Sequence, residues 1–182
     1  KVDYDNWSAN MAIFQLERGL TFTDGNNVFS QDGEAHFEGI ELSTRGKITE
    51  QWMVGASAMW LDATNKKTTN PVLEGEPIQG VADKQFRLYS EYQVPNTQLT
   101  FTGGAQYTSS VPLDVANQWQ VGSVTLFDLG ARYEIDFNKQ LLTLRLNIEN
   151  LTDKAYWLTS AGSSSIAQGA PRTIKLGAQL DF

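Results

Sequence analysis

Leu142-Thr143-Leu144-Arg145-Leu146-Asn147-Ile148-Glu149 alternates without a break between aliphatic and polar side chains. Successive side chains of a β-strand point to opposite faces, so this stretch carries one purely aliphatic face and one purely polar one. The same period appears just upstream, where Thr125, Phe127, Leu129, Ala131 and Tyr133 interleave with Asp128, Gly130, Arg132 and Glu134. It appears again downstream, where Ile174, Leu176, Ala178, Leu180 and Phe182 interleave with Thr173, Lys175, Gly177, Gln179 and Asp181. Further alternating segments run over 7–18, 35–46, 51–61, 85–94 and 97–108, which brings the expectation to eight strands. In the segment at 97–108, Leu99, Phe101, Ala105 and Tyr107 oppose Thr100, Thr102, Gln106 and Thr108. The segment at 7–18 fits least well, because Phe14 and Leu16 fall on its polar face.

The connections alternate as regularly as the strands. Lys47–Glu50, Pro95-Asn96 and Asp136–Lys139 are short, whereas Gly19–Glu34, Asp62–Lys84, Ser109–Gly122 and Leu158–Ala170 are long. Loops above about 12 residues are uncommon in compact domains, so four in one chain call for a reason. Outer-membrane barrels give one, with tight periplasmic turns and long extracellular loops. A soluble β-sandwich is the competing fold, since it also packs one face of each strand. It gives no reason for two aromatic rows: Trp7, Trp52, Tyr92 and Tyr133 toward the short turns, and Trp60, Tyr107, Tyr156 and Trp157 toward the long loops. Two interfacial belts are expected of a membrane barrel. Strands of about 10 residues, tilted by about 45°, also match its apolar band of roughly 25 Å. The fold class expected is therefore all-β: an antiparallel, up-and-down transmembrane β-barrel segment of about eight strands.

Composition agrees with an ordered β chain and narrows the function. The 182 residues hold 15 Gly, 5 Pro and 20 aromatics (9 Phe, 6 Tyr, 5 Trp). Fourteen Lys and Arg against 21 Asp and Glu give a formal charge of −7, which makes nucleic acid a poor partner. Mean hydropathy is −0.34, and no run approaches the 18 or so apolar residues of a membrane helix. Alternating membrane strands average to such values. There is no Cys and a single His, His36, so thiol chemistry is absent and a metal centre would need carboxylates. No Ser-His-Asp grouping has suitable spacing, and Gly103-Gly104 is no phosphate loop. We expect no enzyme and no resident cofactor. The sequence opens at Lys1 in mid-pattern without a signal peptide, as a mature or excised segment would.

Several motifs point to one family. Lys175-Leu-Gly177-Ala-Gln-Leu180-Asp-Phe182 resembles the C-terminal assembly signal of outer-membrane barrels: a polar residue, a glycine two on, then alternating hydrophobics ending on an aromatic. Thr125-Leu-Phe-Asp-Leu-Gly-Ala-Arg-Tyr133 resembles the antepenultimate strand of TonB-dependent siderophore receptors. Asn147-Ile-Glu-Asn-Leu-Thr-Asp-Lys-Ala-Tyr-Trp157, Gly169-Ala-Pro-Arg-Thr173 and His36-Phe-Glu-Gly-Ile-Glu-Leu42 resemble further segments of that family, in its order. The resemblance implies a barrel of about 22 strands, with this chain (1–182) as the C-terminal third and the plug domain lying elsewhere. It implies ferric siderophore uptake across the bacterial outer membrane, driven by TonB through that plug, with the lipid bilayer and the barrel-assembly machinery as further partners. The alternative is a stand-alone eight-stranded barrel with a structural, adhesive or enzymatic role. Trp119 and Trp157, as loop aromatics, are the candidate ligand contacts. Lys175, Gly177, Leu180 and Phe182 are the candidate assembly signal. Asn150 and Asp153 are expected to kink the chain through side-chain bonds to nearby amides, Arg172 to salt-bridge a neighbouring loop, and Gly55, Gly103, Gly104, Gly130 and Gly177 to serve curvature or close packing.

Overall fold

The computed structural model describes residues 2–4, 6–23, 27–137, 140–160 and 163–181. Its strands, in chain order, are β1 (Val2–Tyr4), β2 (Trp7–Thr23), β3 (Phe29–Lys47), β4 (Trp52–Lys67), β5 (Lys84–Gln93) and β6 (Leu99–Thr108). They continue with β7 (Val111–Pro112), β8 (Gln120–Val121), β9 (Val124–Phe137), β10 (Gln140–Glu149), β11 (Trp157–Ser160), β12 (Ser163–Gln168) and β13 (Thr173–Asp181). One antiparallel sheet holds nine of them in the order β1-β2-β3-β4-β5-β6-β9-β10-β13, and β7–β8 and β11–β12 are separate hairpins inside long connections. Eight of the nine are the expected strands, and the ninth is the short β1, paired with Trp7–Ala9. The up-and-down, all-antiparallel wall is as the alternation implied.

Register turns alternation into two continuous faces. Trp52, Tyr92, Phe101, Ala131, Leu146 and Leu176 lie opposite one another across six strands. One pleat along, Lys47, Met53, Glu91, Thr102, Gly130, Asn147 and Lys175 form a largely polar row. The first face carries Trp7, Trp52, Tyr92 and Tyr133 at one end and Trp60 at the other, where Phe86 packs edge-on to Trp60 and beside Tyr107. This is the bilayer face, and the polar face lines the lumen. Tyr156 departs from the expected belt: it lies against Gly169, inside a loop.

Three strands run longer than expected. β2, β3 and β4 hold 17, 19 and 16 residues, so most of Gly19–Glu34 is a ladder and not a loop. Above the apolar band both faces meet water, and the hydropathy period disappears while the backbone pairing continues. The extension carries an outer ionic cluster in which the Lys66 ammonium lies 2.8 Å from both Glu17 and Glu34. The hydrogen bond from Lys66 and its charge hold the Glu17 carboxyl below its ordinary range.

Adjacent positions on β3 should report the two faces. Leu42 faces lipid between Met11 and Ala58, whereas Ser43 faces the lumen between Asn10 and Ser57. In the full barrel that contains this wall, Leu42→Arg should destabilise by about 2–4 kcal/mol and Ser43→Arg by less than about 1 kcal/mol in a folding titration in lipid vesicles. Equal costs would reverse the assignment.

Candidate functional site

The extracellular ends of the strands carry three connections that fold on themselves and on one another. β5 leaves β4 at the Trp60–Lys84 pair, so the edge of β4 beyond Trp60 needs another partner. Residues 76–83 supply it. Leu61 donates its N–H to Asp83 (2.9 Å), Ile78 donates to Ala63 (2.8 Å) and Asn65 to Glu76 (3.0 Å). These bonds bring Ile78 against Ala35 and Ala63, all buried, with Leu20, Phe37, Leu61 and Val81 around them. A small apolar core therefore sits on the lumenal side of the wall, above the lipid band.

The next connection docks onto this one. The Gln79 side chain donates to the Leu113 carbonyl (2.6 Å), the Gly80 N–H to Pro112 (2.8 Å), and the Asn117 amide to the Glu76 carboxylate (3.0 Å). At its base, a hydrogen bond from the Ser109 hydroxyl is the main cause that holds the Asp83 carboxyl below its usual range. Trp119 stands on this platform. Its N–H donates to Asp114 Oδ1 (2.8 Å) and its carbonyl accepts from Leu113 (2.8 Å), while 69% of the residue stays exposed.

Trp157 opens the third connection as the first residue of β11, paired with Gln168 and 54% exposed. The hairpin β11–β12 is tied down by Asn150, which is 4% exposed and has a left-handed backbone (φ 50°). Its side-chain amide donates to the carbonyls of Lys154 (2.9 Å) and Ala170 (3.0 Å), and its oxygen accepts from the Lys154 N–H (2.8 Å). Its own N–H donates to Asp128 on β9 (2.9 Å), and Leu151 donates to Phe127 (2.7 Å). Asp153, also left-handed (φ 54°), accepts from the Arg172 N–H at 2.8 Å. The link expected of the Arg172 guanidinium thus runs through its backbone amide, and the guanidinium lies 3.5 Å from the Leu151 carbonyl. Tyr156 lies over Gly169, where a Cβ would come within 2.1 Å of the ring. The segment Asn147–Trp157 and the Gly-x-Pro-Arg stretch are the two halves of one clasp.

Trp119 and Trp157 are therefore not on one shared element; each is displayed by its own hairpin. The residues of the terminal motif are strand positions. Lys175 pairs with Glu149, Gly177 lies opposite Arg145, and Leu180 lies opposite Leu142 on the lipid face. Phe182 lies outside the described residues. Of the five glycines singled out, only Gly130 is tightly enclosed, with Thr102 Oγ1, Asn147 Oδ1 and the Leu146 carbonyl within 3.2 Å of an added Cβ. On the lumenal wall Arg132 pairs with Glu91 (3.2 Å) and Glu134 (3.1 Å), and Arg145 donates to the neutral Gln179 (2.9 Å). Among the described residues no cluster of three His, Asp or Glu could hold a metal ion. Sequence reasoning missed the apolar part of the lumenal face, Phe14, Leu16 and Phe37 with Arg18. The signal was present as the two residues out of phase in β2.

Residues 1–151 match the family described as TonB dependent receptor-like, beta-barrel. Over its whole length the chain is 34% identical to the ferrichrome receptor FcuA of Yersinia enterocolitica, covering 24% of that protein. It is 30% identical to PiuA, a probable TonB-dependent siderophore receptor of Acinetobacter baumannii, over 94% of this chain and 24% of that one. Among solved structures, the ferric preacinetobactin receptor BauA of A. baumannii superposes with a TM-score of 0.89 at 31% identity, over 100% of this chain and 28% of BauA. The chain thus spans about a quarter of the length of these relatives. All three are named as receptors.

The clasp makes a sharp stability test. Asn150→Ala strands buried carbonyls and forces alanine into a left-handed conformation, so the full barrel should lose about 2–4 kcal/mol. Asn150→Gly keeps the backbone and should lose less, while both should speed protease cleavage between Trp157 and Gln168. Wild-type cleavage rates in both variants would show that the clasp does not hold the hairpin.

Proposed function

This chain belongs to the TonB-dependent receptor-like β-barrel family, and on that premise we propose that it is the C-terminal wall of a larger outer-membrane barrel that imports a ferric siderophore. One observation carries the reading. Among the described residues β13 pairs only with β10, and β1 only with β2, so the sheet ends in two open edges. An unpaired strand edge is not tolerated in hydrocarbon, so further strands must continue the wall on both sides. A stand-alone eight-stranded barrel would instead join its first and last strands, and this sheet does not.

In this proposal the missing strands and the plug come from the rest of the polypeptide, and TonB supplies energy through the plug. The ferric siderophore is cargo, its iron held by its own ligands, so the wall needs no resident cofactor and performs no covalent step. The lipid face seats it in the bilayer, and the barrel-assembly machinery inserts it by way of the Lys175–Phe182 strand. Trp119 and Trp157 offer ring surfaces on tethered hairpins at the entrance, where bulky chelates arrive.

The full receptor should bind at least one ferric siderophore tightly, and uptake should stop when TonB is deleted. Trp119→Ala or Trp157→Ala should weaken binding roughly tenfold where the ring lines the site. Uptake that continues without TonB, or no binding across ferric hydroxamates, catecholates and citrate, would overturn the proposal. Removing Phe182 should lower the amount of receptor in the outer membrane and leave the affinity of assembled molecules unchanged.

A further inference from the structure

We propose that the ligand wall within this segment is the lumenal face of β2 and β3 just above the lipid band, and that it selects a ferric chelate bearing anionic aryl groups. The inference rests on the import reading above and gives it a substrate class. Phe14, Leu16, Arg18 and Leu20 alternate along the lumenal side of β2, opposite Gly39, Phe37, Ala35 and Gly33 of β3. A lumen filled with water gives no reason to place three large apolar side chains there. The small core around Ile78 accounts for Leu20 and part of Phe37. It leaves Leu16 uncovered, with 58% of that residue exposed.

What these side chains present is specific. The Phe14 ring lies against Gly39, close enough that a Cβ there would sit 2.8 Å from Cζ, so the ring fills the space that the glycine leaves on the wall. The Arg18 guanidinium lies over the Phe37 ring, 5.3 Å from its centroid. A guanidinium held against a ring face keeps its N–H donors available for an anionic oxygen. Along the rows below, the charges are Glu41, Arg87 and Arg45, so with Arg18 this stretch of the face holds three cations and one anion. The acids of the same strands, Glu17 and Glu38 with Asp62 of β4, fall on the outer face. An aromatic ring, an exposed aliphatic side chain and a guanidinium together complement a planar phenolate or catecholate bound to iron. An aliphatic ferric trihydroxamate is neutral overall and offers the ring no aryl face, and a citrate chelate is anionic but leaves the ring without a partner.

The test uses the full receptor in detergent, titrated by calorimetry with three probes: a ferric tris-catecholate, a ferric trihydroxamate and ferric citrate. Arg18→Gln and Leu16→Glu change exposed side chains, and thermal unfolding checks that both variants fold as the wild type does. The expected result is preference for the tris-catecholate, weakened about tenfold or more by Arg18→Gln, the loss expected for one hydrogen bond to a charged group. Arg18→Lys should recover only part of that loss, because an ammonium does not stack and bond along one plane. Leu16→Glu should weaken the same probe and leave unfolding unchanged. Tight binding of a catecholate that both variants leave within twofold overturns this site and leaves the import reading standing. Preference for the trihydroxamate or citrate overturns the substrate class. Variants that lower the unfolding temperature without changing probe preference make the patch a packing surface and overturn the inference. Failure to bind any of the three probes overturns the import reading itself.

Discussion

Hydrocarbon offers no hydrogen bonds, so every backbone N–H and C=O of a membrane strand must be met by a neighbouring strand. Most features of this chain follow from that demand. It makes the ladders run unbroken from β2 to β13, with register shifts at Leu20/Phe22 and Glu34/Ala35. Both lie in the extracellular extensions of the strands, where water can satisfy a displaced group. Above the band, residues 76–83 line the edge of β4 as soon as β5 departs, and the apolar contacts of Ile78 accompany those hydrogen bonds. Among the described residues the demand is unmet at the outer edges of β1 and β13, and the proposed function rests on that.

Pairing the backbone leaves the two faces to be filled by side chains, and glycines are filled from above. The Trp7 ring covers Gly46 at the inner interface, Phe14 covers Gly39 in the lumen, and Tyr156 covers Gly169 in the outer clasp. A strand glycine exposes backbone and leaves a gap as wide as a side chain, and a flat ring closes both at once. The substitution of any covered glycine would lift its ring, so these positions are constrained by packing. Gly177, by contrast, has nothing within reach of an added Cβ, and its small size serves no close contact inside this sheet.

The eight membrane strands and their directions were legible in the sequence because lipid and lumen impose opposite polarities on alternate residues. That signal stops where the imposing solvents stop. The upper halves of β2 and β3 carry Glu17, Glu34 and His36 on the outer side and Leu20 and Ala35 on the inner, a pattern set by local ion pairs and one docked loop. Asn150 and Asp153 were legible as backbone-bonding residues, but their partners at Asp128, Ala170 and Arg172 lie 22, 20 and 19 positions away. No local period encodes such distances. The loop tryptophans were visible as exposed aromatics, whereas Phe14 and Leu16 stood out only as errors in a pattern. A residue that breaks an otherwise strict alternation has been placed against its solvent, and something must face it.

The lumenal wall therefore divides into two surfaces with different roles. From β6 to β13 it is nearly self-satisfied, with Glu91 of β5 drawn in: Arg132 and Arg145 stand directly opposite, yet each is turned to its own partner, Glu91 and Glu134 for one and Gln179 for the other. Lys175 is likewise held by Glu149. Charges engaged this way line a wet channel without binding what passes, because a solute must break an existing pair to make a new one. From β2 to β5 the wall carries apolar surface, the exposed Arg87 and a guanidinium, that of Arg18, set among the described residues against a ring face. Binding energy is available where groups are unsatisfied, and along this wall the first strands hold them.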